Sequence, residues 1–164
     1  MKKTLLLLAF FLVSMVSFAQ EDITQQAKDY RTAMMSFLKS EGFSPSITEK
    51  GNLMFKREGI AYWITFTDED PVYIEFHREG LDGEGVNLGA LHLAVNDLNY
   101  NRRCVKAVID DDGDVALTVE FYSVSVTEFK GTFYRNIKAL SSARDYVLEK
   151  YAEYEESLES LDNE

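Results

Sequence analysis

The sequence predicts an α+β fold, an antiparallel sheet of five to six strands with helices in the order α-β-β-β(-β)-α-β-β-α. Three observations predict it. The apolar period is three to four residues before Gly42, falls to two between Ile47 and Phe76, and then switches three more times. The strand-like segments arrive in blocks separated by Gly-, Asn- and Asp-bearing turns, not singly between helices. No internal repeat and no Pro- or Ser-rich linker divides the chain.

Each element follows from local pattern. Ile23, Ala27, Tyr30, Met34, Phe37 and Leu38 recur at helical spacing, and Gly42 is placed to stop that helix. A short strand is expected near Ile47. Leu53 to Phe55, Ile60 to Phe66 and Val72 to Phe76 are β-branched and aromatic, and Gly51-Asn52, Glu58-Gly59 and the segment from Asp68 to Pro71 punctuate them. A second helix is expected from Val86 to Asn99, with Leu88, Leu91, Val95 and Leu98 on its apolar face. Val105 to Ile109 and Val115 to Tyr122 read as strands joined by Asp110-Asp111-Asp112-Gly113. The last helix starts near Val126 or Thr127, and Phe129, Phe133, Ile137, Leu140, Val147 and Tyr151 line one side. Seven acidic residues crowd its end from Glu149 to Glu164, where they oppose the helix dipole, so fraying is expected there.

Residues 1–19 read as a cleaved signal peptide. Lys2 and Lys3 precede an apolar run from Leu5 to Val13, and the small-x-small triplet Ser17-Phe18-Ala19 comes before Gln20. The run is shorter than the ~20 residues a spanning helix needs. The only cysteine, Cys104, is far from the cleavage point, so a lipid-anchored start is excluded. The expected product is periplasmic or secreted, with one α+β domain over residues 20–150 and an acidic helical extension or tail over 151–164. A lone cysteine allows no internal disulfide, so packing must hold the fold.

The formal net charge is −11, and loss of Lys2 and Lys3 with the leader makes it −13. Such a surface repels phosphate backbones and anionic lipid, so neither nucleic acid nor, after leader cleavage, a membrane is an expected partner. The charge reads first as a solubility feature and, in a sharper reading, as a preference for basic partners.

Motifs for catalysis or metal binding are weak. Ser36-Phe37-Leu38-Lys39 matches S-x-x-K, yet Lys130-Gly131-Thr132 has the wrong order for the companion element. Polar positions on an amphipathic helix are the simpler reading. Gly83-Glu84-Gly85 precedes a helix, but the next glycine is Gly89 and two acids flank the loop, against a phosphate cradle. Asp110, Asp112 and Asp114 alternate as in a calcium loop, but Val115 and Phe121 occupy the positions an EF-hand gives to Gly and Glu. A hairpin turn is expected instead. His77 and His92 are the only histidines, too few for a structural zinc site, and His92 reads as core-edge. Cys104 reads as a small buried hydrophobe, with an exposed thiol pairing two chains as the alternative. No cofactor and no catalytic residue is assigned.

The run Ala94-Val95-Asn96-Asp97-Leu98-Asn99, then Cys104-Val105-Lys106, then the Asp-Gly hairpin into Val115 to Tyr122, resembles the YbjN-type domain, which shares the fold of type III secretion chaperones. The likeness extends from Ile23 to about Tyr151. It implies a small, dimer-forming, protein-binding domain without catalytic residues. The leader is a departure from that pattern, because secretion chaperones act in the cytosol.

Strand alternation supplies the binding candidates. With Ile60, Tyr62, Ile64 and Phe66 on the helix side, joined by Val72, Ile74 and Phe76, the other side receives Trp63, Tyr73, Glu75 and His77. Glu120 and Tyr122 join them from the strand that ends near Tyr122. Aromatics with a polar handle are enriched at interfaces. The expected function is a non-enzymatic exported protein- or peptide-binding module, chaperone-like, with a homodimer as one form. The alternatives are a small-molecule binder or small hydrolytic enzyme of the envelope, and a structural dimer using Tyr146, Tyr151 and Tyr154 of the last helix.

Overall fold

The computed structural model describes residues 25–67 and 69–162. The leader and Ile23 lie outside the described residues.

α1 (Gln25–Ser40) buries Ala27, Tyr30, Met34 and Leu38, one face of a 3.6-residue period. Gly42 ends it at φ +88°. Its N–H bonds Lys39 O at 3.1 Å and that of Phe43 bonds Leu38 O at 2.9 Å, the paired bonds of a Schellman stop. A meander follows, of β1 (Ser46–Ile47), β2 (Leu53–Arg57), β3 (Ile60–Phe66) and β4 (Val72–Leu81). Glu58 and Gly59 join β2 to β3 with φ +55° and +83°, the two positive angles that a tight hairpin turn needs. The Asp70–Pro71 peptide before β4 is cis.

α2 (Leu88–Asn101) is capped by Asn87, whose side chain accepts from the N–H of Ala90. β5 (Lys106–Ile109) and β6 (Val115–Ser123) form the Asp-Gly hairpin, in which Asp110 Oδ1 accepts from the N–H groups of Asp112 and Asp114. α3 (Val126–Asp162) starts at Ser125, which accepts from Glu128 N, while Glu128 accepts from Val124 N. It continues through the acidic stretch to Asp162.

The six strands are antiparallel in the order β1-β2-β3-β4-β6-β5. The helices supply Tyr30, Met34, Leu38, Leu91, Leu98, Phe129, Phe133 and Leu140 to the same core that takes Phe55, Tyr62, Ile64, Ile74, Phe76 and Leu117 from the sheet. All three helices therefore cover one side of the sheet and leave the other open.

Several expectations are corrected. α2 begins at Leu88, not Val86, because Gly85 at φ +77° still belongs to the loop. Leu88 is half exposed, and α2 turns Ala90, Leu91, Ala94, Val95 and Leu98 inward instead. β4 runs past Phe76 to Leu81 with polar Arg78 on its core side. His92 is exposed. Cys104 is exposed too, at φ +64°, in the turn that carries the chain from α2 into β5. Gly83 is explained by contact, not by a ligand. A Cβ there would lie 2.2 Å from Gly113 O, so the loop before α2 and the β5–β6 turn can touch only through glycine.

Candidate functional site

The open side of the sheet carries all six candidates. Directly paired strand residues share a face, so register fixes their neighbours. One row runs Met54, Trp63, His77, Thr118, Lys106 across five strands. The next runs Thr65, Glu75, Glu120, and beyond it Tyr73 pairs with Tyr122.

The aromatics form two clusters. Trp63 and His77 stack with centroids 5.4 Å apart and planes 18° off parallel. Tyr73 and Tyr122 pack tilted at 5.1 Å. Trp63, Tyr73 and His77 are half-buried and Tyr122 is 56% exposed, so the rings present a ready surface without being core. Burial against Trp63 and the strand pushes the His77 imidazole below its ordinary pKa of 6.5.

Between the clusters lies a carboxylate pair. Glu120 accepts from Lys106 Nζ at 2.7 Å, from Tyr73 Oη at 2.7 Å and from Thr118 Oγ1 at 2.9 Å. Those donors, Lys106 first, hold Glu120 below the usual carboxylate range. In return Tyr73 is pushed up to about 12, mainly by its hydrogen bond to Glu120 and then by burial. Glu75 stands directly opposite Glu120 and takes no hydrogen bond or ion pair from any described residue. Like charges directly across a strand pair repel. Lys106 offsets only one of the two, so a cation delivered to Glu75 from outside would complete the pattern. Glu69 accepts from Tyr122, which adds a further carboxylate at the tyrosine end.

Lys106, Met54 and Thr118 were not among the sequence candidates. Lys106 is reachable by counting outward from the Asp-Gly turn, since Ile109 pairs with Val115 and the fourth pair is Lys106 with Thr118. Met54 required the β2–β3 register.

The remaining sequence candidates are dispersed. Ser36 donates to Thr32 O and Lys39 is exposed, as polar positions of a helix would be. Asp114 accepts from Gly83 N, which ties the acidic turn to the loop before α2. Tyr146 and Tyr154 both donate to Asp97 on α2, and Tyr151 Oη accepts from Asn87 N. The tyrosines proposed to meet another chain therefore spend their hydroxyls within this one.

The motif around Asn99 also resolves into structure. Asn99 Oδ1 accepts from Ala107 N and Asn99 Nδ2 donates to Ala107 O, both at 2.9 Å. A side-chain amide thus takes the place of a neighbouring strand along the free edge of β5.

Residues 31–128 match the family model YbjN, described as "putative bacterial sensory transduction regulator". The chain belongs to the YbjN family. The matched span of this YbjN chain runs from α1 to the first turn of α3 and includes all six face residues. No curated protein matches it. Among solved structures, it is similar to the Yersinia pestis type III secretion chaperone SycH, determined in complex with a stable fragment of YscM2. Identity is 13%, the TM-score is 0.46, and the alignment covers 76% of this chain and 98% of that one.

Proposed function

We propose that this YbjN-family chain is an exported, non-enzymatic module that binds a basic protein or peptide segment through the open face of its sheet. The leader pattern at residues 1–19 supports a periplasmic or secreted location. The observation that carries the reading is the side of the sheet that no described helix covers, where two aromatic clusters flank Glu75, a carboxylate with no hydrogen-bond or ion-pair partner among the described residues. Half-buried aromatics supply apolar area at small entropic cost, and Glu75 supplies direction and charge preference. The net charge of −11 steers a cationic partner toward it.

Trp63 is the only tryptophan, so its fluorescence reports this face alone. Titrating the chain with Lys- and Arg-containing peptides is expected to shift its emission saturably, while the same peptides with Glu in place of each base do nothing. Tyr73→Ala and Glu75→Gln should each weaken binding roughly tenfold, on the scale of a buried aromatic anchor or a charge-assisted contact. Absence of any peptide-dependent shift, or equal binding by both variants, sinks the reading.

A further inference from the structure

A second site lies on the helix side of the sheet, away from the open face. A cleft of about 420 Å³ opens between the β2–β3 turn and the middle of α3. It is lined by apolar Ile60, Tyr62 and Ile137 and by Arg57, Glu58, Tyr134, Lys138 and Ser141. Behind Ser141 sits Arg78, only 5% exposed.

The charge there runs against the rest of the molecule. Arg78 lies over the Tyr62 ring at 5.6 Å, donates from Nε to Glu79 O at 3.1 Å, and places Nη1 3.4 Å from Ser141 Oγ. No carboxylate among the described residues pairs with it, nor with Lys138. Glu58, which lines the cleft, and Glu41 have partners of their own. Glu58 meets Arg57 at 3.5 Å, and Glu41 accepts from Tyr134 Oη at 2.6 Å. Among the described residues, a buried guanidinium and an ammonium on the same cleft are thus left without a carboxylate partner, in a chain of net charge −11. Burying an uncompensated charge is costly, and an oxyanion arriving from solvent lowers that cost.

We infer that this cleft binds a small organic acid, an oxyanion on an apolar stem. The oxyanion lies between Lys138 and the Ser141 hydroxyl, in the positive potential of Arg78. The stem lies along Ile60, Tyr62 and Ile137. Neutral molecules of the same shape gain the apolar contact but not the charge-assisted bonds, which are about twice as strong as neutral ones.

The test is a titration of the ¹⁵N-labelled chain with 3-phenylpropanoate, phenyl phosphate and the neutral 3-phenylpropanamide. An oxyanion probe is expected to move the amides of residues 57–60 and 134–141 saturably below about 10 mM, with the amide at least ~tenfold weaker. Comparing the two acids tells carboxylate from phosphate. Lys138 is exposed, so Lys138→Glu should fold with an unchanged Tm, abolish acid binding, and leave the Trp63 response to basic peptides intact. Arg78→Lys keeps the charge and should retain part of the affinity. The inference is overturned if acid and amide act alike, if the shifts map elsewhere, if nothing saturates, or if Lys138→Glu binds acid as the parent does.

Discussion

Asn99 occupies one position on the surface of α2, yet it governs an edge of the whole sheet. Its amide holds both backbone groups of Ala107, which is itself buried. Two such bonds contribute about 0.5–1.5 kcal/mol each, and a buried group left unpaired costs more than the bond it lost. Asn99→Ala should therefore lower unfolding free energy by about 1–3 kcal/mol in urea titration. It should also open β5 to strand addition, read as concentration-dependent growth in light scattering. A variant that loses stability but stays monomeric at all concentrations would show that Asn99 serves stability alone. His77 makes a different residue-scale prediction. Its folded pKa lies below the unfolded 6.5 because burial disfavours the cation. Above 6.5 both states are neutral and nothing is lost. As pH falls through 6.5 the unfolded chain protonates first, so stability declines toward the folded pKa. Denaturation midpoints compared at pH 7.5 and pH 5.5 should fall in the parent and fall less in His77→Gln. Glu75→Gln should raise stability by a few tenths of a kcal/mol, by relieving its repulsion with Glu120, while weakening basic-peptide binding.

At the scale of elements, what could be read in advance follows from how each element declares its period. The two hairpins were legible because Glu58-Gly59 and the Asp-Gly run fix the turn, and period-two alternation then sorts every side chain to a face. That is why the Trp63, Tyr73 and Glu120 face could be drawn before its geometry. The far end of β4 was hidden because Arg78 puts a charge on the core side, which alternation reads as the end of a strand. The cleft was hidden with it, since Arg57, Arg78 and Lys138 are distant in sequence. Cys104 was misplaced because left-handed backbone in a turn leaves no trace in hydropathy. The pairing of α2 with α3 was equally silent. It rests on Asp97, which accepts from Tyr146 and Tyr154 at 2.8 Å and from Asn101, while Arg102 lies 4.4 Å over the Tyr146 ring. These donors hold Asp97 below its ordinary 3.8, the Tyr146 bond foremost. Its contribution is present above that value and lost as pH falls through the folded pKa. Asp97→Ala should speed amide exchange across residues 146–158 at neutral pH. The difference from the parent should disappear as pH falls below the folded Asp97 pKa, where the parent's own carboxylate is neutral. A difference that persists there would assign the effect to packing instead.

The whole molecule sets two forces against each other in its last turns. Residues 151–164 hold six acids and no base, so deleting them takes the net charge from −11 to −5. Among the described residues Glu153, Glu155, Glu156 and Glu159 lie towards the negative end of the α3 dipole and add like charge there, offset at Glu153 by Lys150 at 2.6 Å, which favours deletion. The same segment carries Tyr151 and Tyr154, whose hydroxyls meet Asn87 N and Asp97 and whose rings pack on the core. Exposed charge interactions are worth at most about 1 kcal/mol and are screened by salt, with a Debye length near ~8 Å at physiological strength. Removing two partly buried aromatic rings costs more, at roughly 25 cal/mol per Å² of apolar area returned to water. Packing therefore wins. A chain ending at Lys150 should show a lower Tm than the parent, with amide exchange rising first in α2, residues 88–101. Salt separates the terms. Raising NaCl should stabilise the parent, because screening relieves the acidic tail, and should do so much less in the truncated chain. Equal salt responses would mean that the charge on α3 is not strained in the folded state. A truncated Tm at or above the parent's would mean that the tyrosine contacts to α2 do not hold the two helices together.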